Sequence, residues 1–167
     1  MFETIALTAF VALMIYAALS DVSRLIIPNW VSIALAALFP VAALVAGAPV
    51  MGIGLNILFG FGVLAVGFVL FQMNVFGGGD AKLLAAVSVW TGMTAFAPFI
   101  VWTVIAGGVM ALVLLTARQL IPAGAYPPVV DHLLKKQNGI PYGVAIMFGA
   151  LMAIPSLPYL SSPLTLP

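Results

Sequence analysis

The chain has 167 residues, 65% hydrophobic and 5% charged, with a mean hydropathy of +1.29, whereas soluble domains carry about 25% charged residues. A surface so poor in charge is expected to face lipid. The absence of Cys excludes disulfides, thiolate nucleophiles and Cys-ligated zinc. One His and four acids do not make a multi-ligand metal site. The sequence has no basic stripe that would bind nucleic acid.

Six apolar stretches are candidate transmembrane helices, for which about 20 apolar residues are needed. Breakers separate them: Pro28 precedes the second stretch, Pro49 follows it, three glycines precede the fourth, and Pro98 precedes the fifth. The longest loop, 118–139, contains a segment at 130–137 that we expect to form a short interfacial helix. The six predicted helices cover residues 3–20, 30–46, 54–71, 82–96, 99–117 and 140–156.

The Lys and Arg residues indicate an orientation for these helices. With six helices, Arg24 follows the first, Lys82 starts the fourth and the other three cations lie between the fifth and sixth, so all fall on one side of the membrane. Five helices or seven would break this pattern. The sequence therefore predicts a single all-α membrane domain over residues 1–167, a polytopic bundle of about six transmembrane helices with both termini non-cytoplasmic and the charged loops in the cytoplasm.

Glycines recur within the predicted helices or directly beside them, at spacings that let helices approach one another closely. We expect them to serve helix packing rather than a binding function. They are Gly60, Gly62 and Gly67, and later Gly139, Gly143 and Gly149.

Two of the four acids lie at the cytoplasmic edges of long apolar stretches. Asp21 ends the predicted first helix and Asp80 begins the fourth, so a folded bundle can bring them together. An ionisable group at membrane depth is costly and is a functional candidate by default. Two close carboxyl groups share a proton, so the ionised one can take a proton from water while the protonated one polarises a peptide carbonyl. The simpler interpretation is a helix cap for Asp80 and an interfacial charge near Arg24 for Asp21.

The local sequence suggests a role for each acid. Asp80 follows three glycines and resembles an N-cap, where a helix stabilises negative charge. Asp21 closes the first helix, where the helix dipole disfavours negative charge. We therefore expect Asp80 to be more often the carboxylate and Asp21 the acid, although coupled groups titrate as a pair and the identity of the general base stays open.

Three sequence blocks surround or follow these acids: Ser-Asp-Val-Ser-Arg-Leu-Ile-Ile-Pro-Asn at 20–29, Phe-Gly-Gly-Gly-Asp-Ala-Lys-Leu-Leu-Ala-Ala at 76–86, and Ile-Pro-Tyr-Gly-Val-Ala-Ile at 140–146. In this order they resemble the type IV prepilin peptidases, which are GxGD-type intramembrane aspartic proteases, and residues 77–80 supply that motif. The resemblance covers most of the chain. It implies that Asp21 and Asp80 are catalytic, without metal or cofactor, in a multi-pass inner-membrane enzyme whose active site lies near the cytoplasmic face.

The resemblance also implies a substrate. Such enzymes remove the short cytoplasmic leader of a prepilin, typically after Gly and before the pilin's hydrophobic helix. Bifunctional relatives add a cysteine-containing N-terminal region that methylates the new pilin N-terminus, and this chain has no Cys. It therefore resembles the short, peptidase-only form that serves Flp/Tad-type pili, and methyltransferase activity is not expected. Neither the particular pilin nor the oligomeric state can be deduced from the sequence.

Five further residues near the two acids are candidates for positioning the substrate. Gly78 and Gly79 permit close backbone approach, and Arg24, Asn29 and Lys82 lie near the acids in sequence. For the last three we favour a simpler interpretation. The two cations would anchor helix ends at the interface, and Asn29 would cap the second helix.

Three other functions compete with this interpretation. Presenilin-like proteases also use GxGD, but they pair it with Tyr-Asp upstream and Pro-Ala-Leu downstream, whereas here Ser20 precedes Asp21 and no Pro-Ala-Leu occurs. A small ion- or proton-coupled transporter would place paired acids near the midplane, not at one edge. A non-catalytic scaffold that binds pilins would carry the same two aspartates.

Overall fold

The computed structural model describes residues 2–120, 130, 133–135 and 139–159, and the elements within these ranges are helical. Within the described residues, three of the five helices, at Phe2–Arg24, Val50–Gln72 and Gly78–Leu120, are long and apolar enough to cross a membrane, and the other two are shorter apolar helices. The protein is therefore a polytopic helical membrane protein. The helices are α1 (Phe2–Arg24), α2 (Asn29–Val45), α3 (Val50–Gln72), α4 (Gly78–Leu120) and α5 (Tyr142–Ala153), followed by a 3₁₀ turn at Ile154–Ser156.

Three of the helices begin directly after a proline. Pro28, Pro49 and Pro141 occupy the N-cap positions of α2, α3 and α5, with φ values of −62°, −66° and −74°. A proline suits this position because its ring fixes φ and because the amide it lacks has no helical partner there. The breaks predicted at Pro28 and Pro49 are confirmed.

The predicted fourth and fifth helices form one helical run, α4, which breaks at Gly92 and not near Pro98. Gly92 has φ 53° and ψ −164°, a conformation in which a side chain is strained and which ends the helical path. Pro98 lies within the helix that resumes after the break. A proline inside a helix removes one backbone hydrogen bond and crowds the preceding turn, and within a membrane protein neighbouring helices and local adjustments compensate for the freed carbonyl group.

The break divides α4 into a first arm, 78–91, and a second arm, 93–120, which run in opposite directions. The first arm is antiparallel to α3, and the second is antiparallel to α5. Both ends of α4 therefore lie at the end of the bundle where α1 and α3 finish and where α2 and α5 begin, which we call the site end. The contacts that set these directions are Ala81–Gly67, Val89–Gly60, Tyr142–Gly107 and Thr103–Gly149.

The core of the bundle is centred on Trp90, which is fully buried in the first arm. Its ring lies 4.7 Å from that of Phe10 and 5.8 Å from that of Phe39, so it joins α1 and α2 to α4. The indole N–H donates to the Leu35 carbonyl over 2.9 Å. This bond satisfies the one polar atom of a side chain that has no access to water.

The second arm ends in a buried cation that holds the following loop. The Arg118 guanidinium donates to the carbonyls of Leu133 and Gly139, each over 2.9 Å. Leu133 and Gly139 are therefore held against the end of α4. Asp131 and His132 lie outside the described residues, as does part of the interfacial helix predicted at 130–137.

Candidate active site

Asp21 is buried in the last turn of α1, with 5% of its surface exposed. The helix continues past the predicted end at residue 20 to Arg24. One carboxyl oxygen of Asp21, Oδ2, accepts a hydrogen bond of 2.6 Å from the backbone N–H of Gly143 in the first turn of α5. The end of α1 thus meets the beginning of α5, a contact that the sequence did not predict.

Asp80 is the third residue of α4, which begins at Gly78. The prediction that it resembles an N-cap is therefore wrong, because two of the three preceding glycines already belong to the helix. The side chain is half-buried and folds back over Gly77, where an added Cβ would lie 2.6 Å from the carboxyl oxygen Oδ2. Asp80 still lies in the first turn of α4, where the helix dipole stabilises a negative charge on its carboxyl group.

Each of the three glycines before Asp80 makes room for a different neighbour. A Cβ on Gly78 would lie 3.3 Å from the Phe71 ring at the end of α3, and one on Gly79 would lie 3.3 Å from Cβ of Ile27. Gly78 and Gly79 thus permit close approach, as predicted, but toward neighbouring apolar side chains. Gly77 was not among the predicted positioning residues, yet it is the glycine that contacts the Asp80 carboxyl group.

The three sequence blocks converge at the site end. The Ser20 hydroxyl donates to the Ile26 carbonyl over 2.8 Å and holds the turn that presents Ile27 to Gly79. The rings of Phe76 and Tyr142 stack at 6.3 Å, which joins the second block to the third. Asp21 and Asp80 are close enough for the charge of one to act on the other. The structure therefore brings together the two acids that the sequence separates by more than fifty residues.

The predicted positioning residues at the start of α2 and α4 form a pair. The Lys82 ammonium donates to the Asn29 side-chain oxygen over 3.0 Å. Asn29 is the first residue of α2, whose N-cap is Pro28, and no side-chain cap bond is made there, so the N-capping role expected for Asn29 is wrong. Arg24 lies exposed at the last residue of α1.

An apolar groove of about 520 Å³ opens beside this pair. It runs along α2, α3 and the first arm of α4, and its length from Lys82 to Val89 is about 10 Å at the rise of a helix. Apart from Asn29 and Lys82, the polar residue in its wall is Ser32, whose buried hydroxyl has no hydrogen-bond partner among the described residues. The other lining residues include Ile33, Ala36, Ile57, Phe61, Leu64 and Ala85.

Two neighbouring carboxyl groups at the edge of a membrane bundle can share one proton and activate a water molecule. In the part of the chain that the structure describes, no group of three or more His, Cys, Asp or Glu side chains is placed to hold a metal ion. The residues that sequence reasoning missed are Gly77, Ser20 and Gly143. All three lie in or beside the quoted blocks, but only their spatial neighbours reveal what they contact.

A scan against protein families matches residues 8–112 to the type IV leader peptidase family. The matched residues span more than half of the chain and include Asp21 and Asp80, and they end before the block at 140–146. A search of curated proteins and a search of solved structures each gave no significant match. The family is the one that the sequence blocks indicated. The chain belongs to the type IV leader peptidase family, whose members are aspartic prepilin peptidases.

Proposed function

We propose that this protein is a membrane aspartic endopeptidase that removes the short cytoplasmic leader from prepilins, with Asp21 and Asp80 as its catalytic pair. Family membership suggests the activity. The observation that carries the residue assignment is the convergence of all three sequence blocks on two neighbouring carboxyl groups, one of them held by a backbone N–H. Both acids lie at helix ends beside connecting segments, where a substrate at the membrane surface can reach them.

The chemistry follows from a pair that carries one proton. The carboxylate takes a proton from a water molecule as the water oxygen attacks the carbonyl carbon of the scissile bond, while the protonated carboxyl group hydrogen-bonds the carbonyl oxygen. Collapse of the tetrahedral intermediate breaks the C–N bond, and a proton passes to the departing nitrogen. The products are a leader with a new carboxyl terminus and a pilin with a free amino terminus.

We further propose an orientation for the bundle. Counting the two arms of α4 separately gives six crossings, and the site end then carries Arg24, Lys82 and Arg118. The positive-inside rule assigns this end to the cytoplasm and both termini to the opposite side. The family is an inner-membrane family, and a cytoplasmic site end would place the acids at the depth of a leader that is itself cytoplasmic.

The apolar groove supports a route for the substrate. It begins at Asn29 and at Lys82, which lies two residues from Asp80 along α4, and it continues along outward-facing apolar side chains of α2 and α3 such as Ile33 and Phe61. In this proposal it receives the beginning of the prepilin's hydrophobic helix, so that the bond just outside the membrane lies near the two acids. In this proposal the prepilin is of the Flp type, and the 167 residues contain none of the cysteines that mark the methylating region of bifunctional relatives.

The decisive experiment is co-expression with an Flp-type prepilin in cells that lack their own prepilin peptidase, with leader removal followed by gel mobility. We expect cleavage by the wild-type protein and none by Asp21→Asn or Asp80→Asn. Glu3→Gln is the matched control, since it removes a carboxylate from the first turn of α1, at the far end of that helix. Cleavage by either aspartate variant would contradict the assignment.

Two further outcomes point to the competing functions. If folded wild-type protein binds the prepilin and leaves it intact, the scaffold is supported. If it neither binds nor cleaves any prepilin tested but moves protons across liposomes, and the aspartate variants do not, the transporter is supported.

A further inference from the structure

The contact between Asp21 and Gly143 joins two of the sequence blocks directly. The first N–H groups of a helix have no partner within the helix, and Gly143 is the second residue of α5. Its N–H meets Oδ2 of Asp21 at 2.6 Å, at the short end for an N–H···O bond. A backbone N–H that donates to a carboxylate makes one of the stronger hydrogen bonds in proteins.

The fit leaves no space for a side chain at position 143. A Cβ there would lie 2.8 Å from Oδ2 of Asp21, 3.0 Å from its Cβ and 3.2 Å from its Cγ. Contacts this close are tighter than ordinary van der Waals packing, so any larger residue has to displace the carboxyl group or the helix. Glycine thus lets the backbone of α5 reach the acid.

The helix that carries Gly143 is itself held in place on two sides. Tyr142 lies against Gly107 of the second arm, and its ring stacks on Phe76 beside the GxGD motif. Further along, Gly149 lies against Thr103. The amide is therefore fixed relative to α4, which carries Asp80.

We propose that Gly143 is a positioning residue for Asp21. Its N–H holds one carboxyl oxygen, leaves the other to meet the catalytic water, and favours the ionised form of this acid. This inference rests on the proposed function and goes beyond the family match, which ends at residue 112. It makes Asp21 the general base and Asp80 the acid, the reverse of the assignment that the dipole of α1 alone suggests.

The first test reads the carboxyl group without any need for catalysis. Asp80→Asn leaves Asp21 as the single acid of the pair, and its titration is followed by infrared difference spectroscopy, with Asp21→Asn identifying the band. Among the described residues, Arg24 lies three positions after Asp21 on α1, and Tyr142 directly precedes Gly143 on α5. Adding Gly143→Ala should raise the midpoint of the Asp21 titration by about one to two pH units, because a hydrogen bond to the charged form is weakened.

Two glycine substitutions serve as controls for that shift. An added Cβ at Gly139 or at Gly108 would lie more than 4 Å from any neighbouring atom, so Gly139→Ala and Gly108→Ala leave α5 and Asp21 in place. Neither should move the Asp21 midpoint. A shift with Gly139→Ala or Gly108→Ala equal to that with Gly143→Ala would show that the Asp21 midpoint does not depend on the Gly143 contact and would overturn the inference.

A second measurement needs no change at position 143, in case that variant does not fold. The dipeptide Tyr-Gly occurs once in the chain, at 142–143, so ¹³C-Tyr and ¹⁵N-Gly labelling selects the Gly143 amide in an NMR spectrum. In the Asp80→Asn protein this amide should move downfield with the ionisation of Asp21. An amide resonance that is unchanged by pH and by Asp21→Asn would overturn the inference.

Kinetics then separate this inference from the proposed function. Gly143→Ala should lower kcat for leader removal by about 10- to 100-fold with little change in KM, as expected when a reacting group is displaced by a fraction of an ångström. If the wild-type protein cleaves prepilin and the Asp21 titration does not respond to Gly143→Ala, the positioning role fails alone. If the titration responds and no prepilin is cleaved, the proposed function fails alone.

Discussion

The substitution Gly67→Ala tests whether close packing of α3 sets the position of Asp80. A Cβ on Gly67 would lie 3.0 Å from Cβ of Ala81, the residue that follows Asp80 in the first arm of α4. Two methyl groups pack comfortably at about 4 Å. The added methyl group should therefore push the first turn of α4 away from α3 by between half an ångström and one ångström.

The size of the effect follows from this displacement. Overpacking of a dense interior costs about 1–3 kcal/mol, of which roughly 1 kcal/mol is recovered because Ala is a better helix former than Gly. The bundle should therefore remain folded. A displacement of about 1 Å at a catalytic group costs about 100-fold in rate, so leader cleavage by Gly67→Ala should fall by about 10- to 100-fold.

The assay measures leader cleavage in detergent or liposomes alongside unfolding in a denaturing detergent. Gly62→Ala on the same helix is the matched control, because a Cβ there meets nothing within 4 Å, and it should cleave at the wild-type rate. Ala81→Gly removes the opposing methyl group, so the double variant Gly67→Ala with Ala81→Gly should regain most of the lost activity. The reasoning is refuted if Gly62→Ala and Gly67→Ala behave alike, or if Ala81→Gly fails to restore cleavage.

Three further results are expected. Gly92→Ala should destabilise the fold by about 1–3 kcal/mol in the same unfolding assay, because φ is 53° there, whereas Gly108→Ala, with open space around it, should not. Lys82→Met and Asn29→Leu should each lower kcat/KM less than tenfold, and the double variant should lose no more than the worse single one, since the two side chains bond each other. The chain has no Cys, so Ile33→Cys in the groove should form a disulfide with a Cys placed at the start of the prepilin helix. Val113→Cys on the second arm is about equally exposed and should form none. If the groove holds only lipid, Ile33→Cys will form no disulfide with the prepilin either.

The general plan of the site could be predicted because charge and hydropathy act along the chain. The positions of the cations relative to the predicted helices indicated that one end of the bundle is positively charged. The hydrogen bonds of Lys82 and Arg118 show that the ends of several helices meet at that end. The two acids stood out because few other charges occur in the chain. The family was evident from the order of three blocks, and the family match confirms it.

The parts that could not be predicted depend on contacts between segments distant in sequence. A proline is a strong breaker in an isolated helix, so the break in α4 was placed near Pro98, but the conformation of Gly92 depends on packing around it. An added Cβ at Gly92 would meet the Asn56 side chain of α3 at 2.5 Å, so this break is formed where two helices approach. Asn29 was expected to cap its own helix because its contact with Lys82 comes from 53 residues away.

The glycines show the same limit. Spacing alone made Gly62 and Gly139 equivalent to their neighbours, yet a Cβ on either would meet nothing within 4 Å. Gly60 and Gly67 instead lie against the first arm of α4. The sequence spacing indicates that one face of a helix is rich in small residues. Which of these residues contacts a neighbouring helix depends on where that helix lies.

The assignment of roles to the two acids depends on which helix ends face them. Considered alone, α1 presents its C-terminal carbonyl groups to Asp21, and its dipole opposes a negative charge there. The N-terminus of α5 presents the opposite dipole to the same carboxyl group and adds a direct N–H donor at 2.6 Å. A dipole acts mainly within one turn of a helix end and a hydrogen bond acts at contact, so the second helix outweighs the first. In our proposal a residue 122 positions away in sequence therefore favours the carboxylate form of Asp21, and a motif centred on either aspartate identifies the pair without assigning its roles.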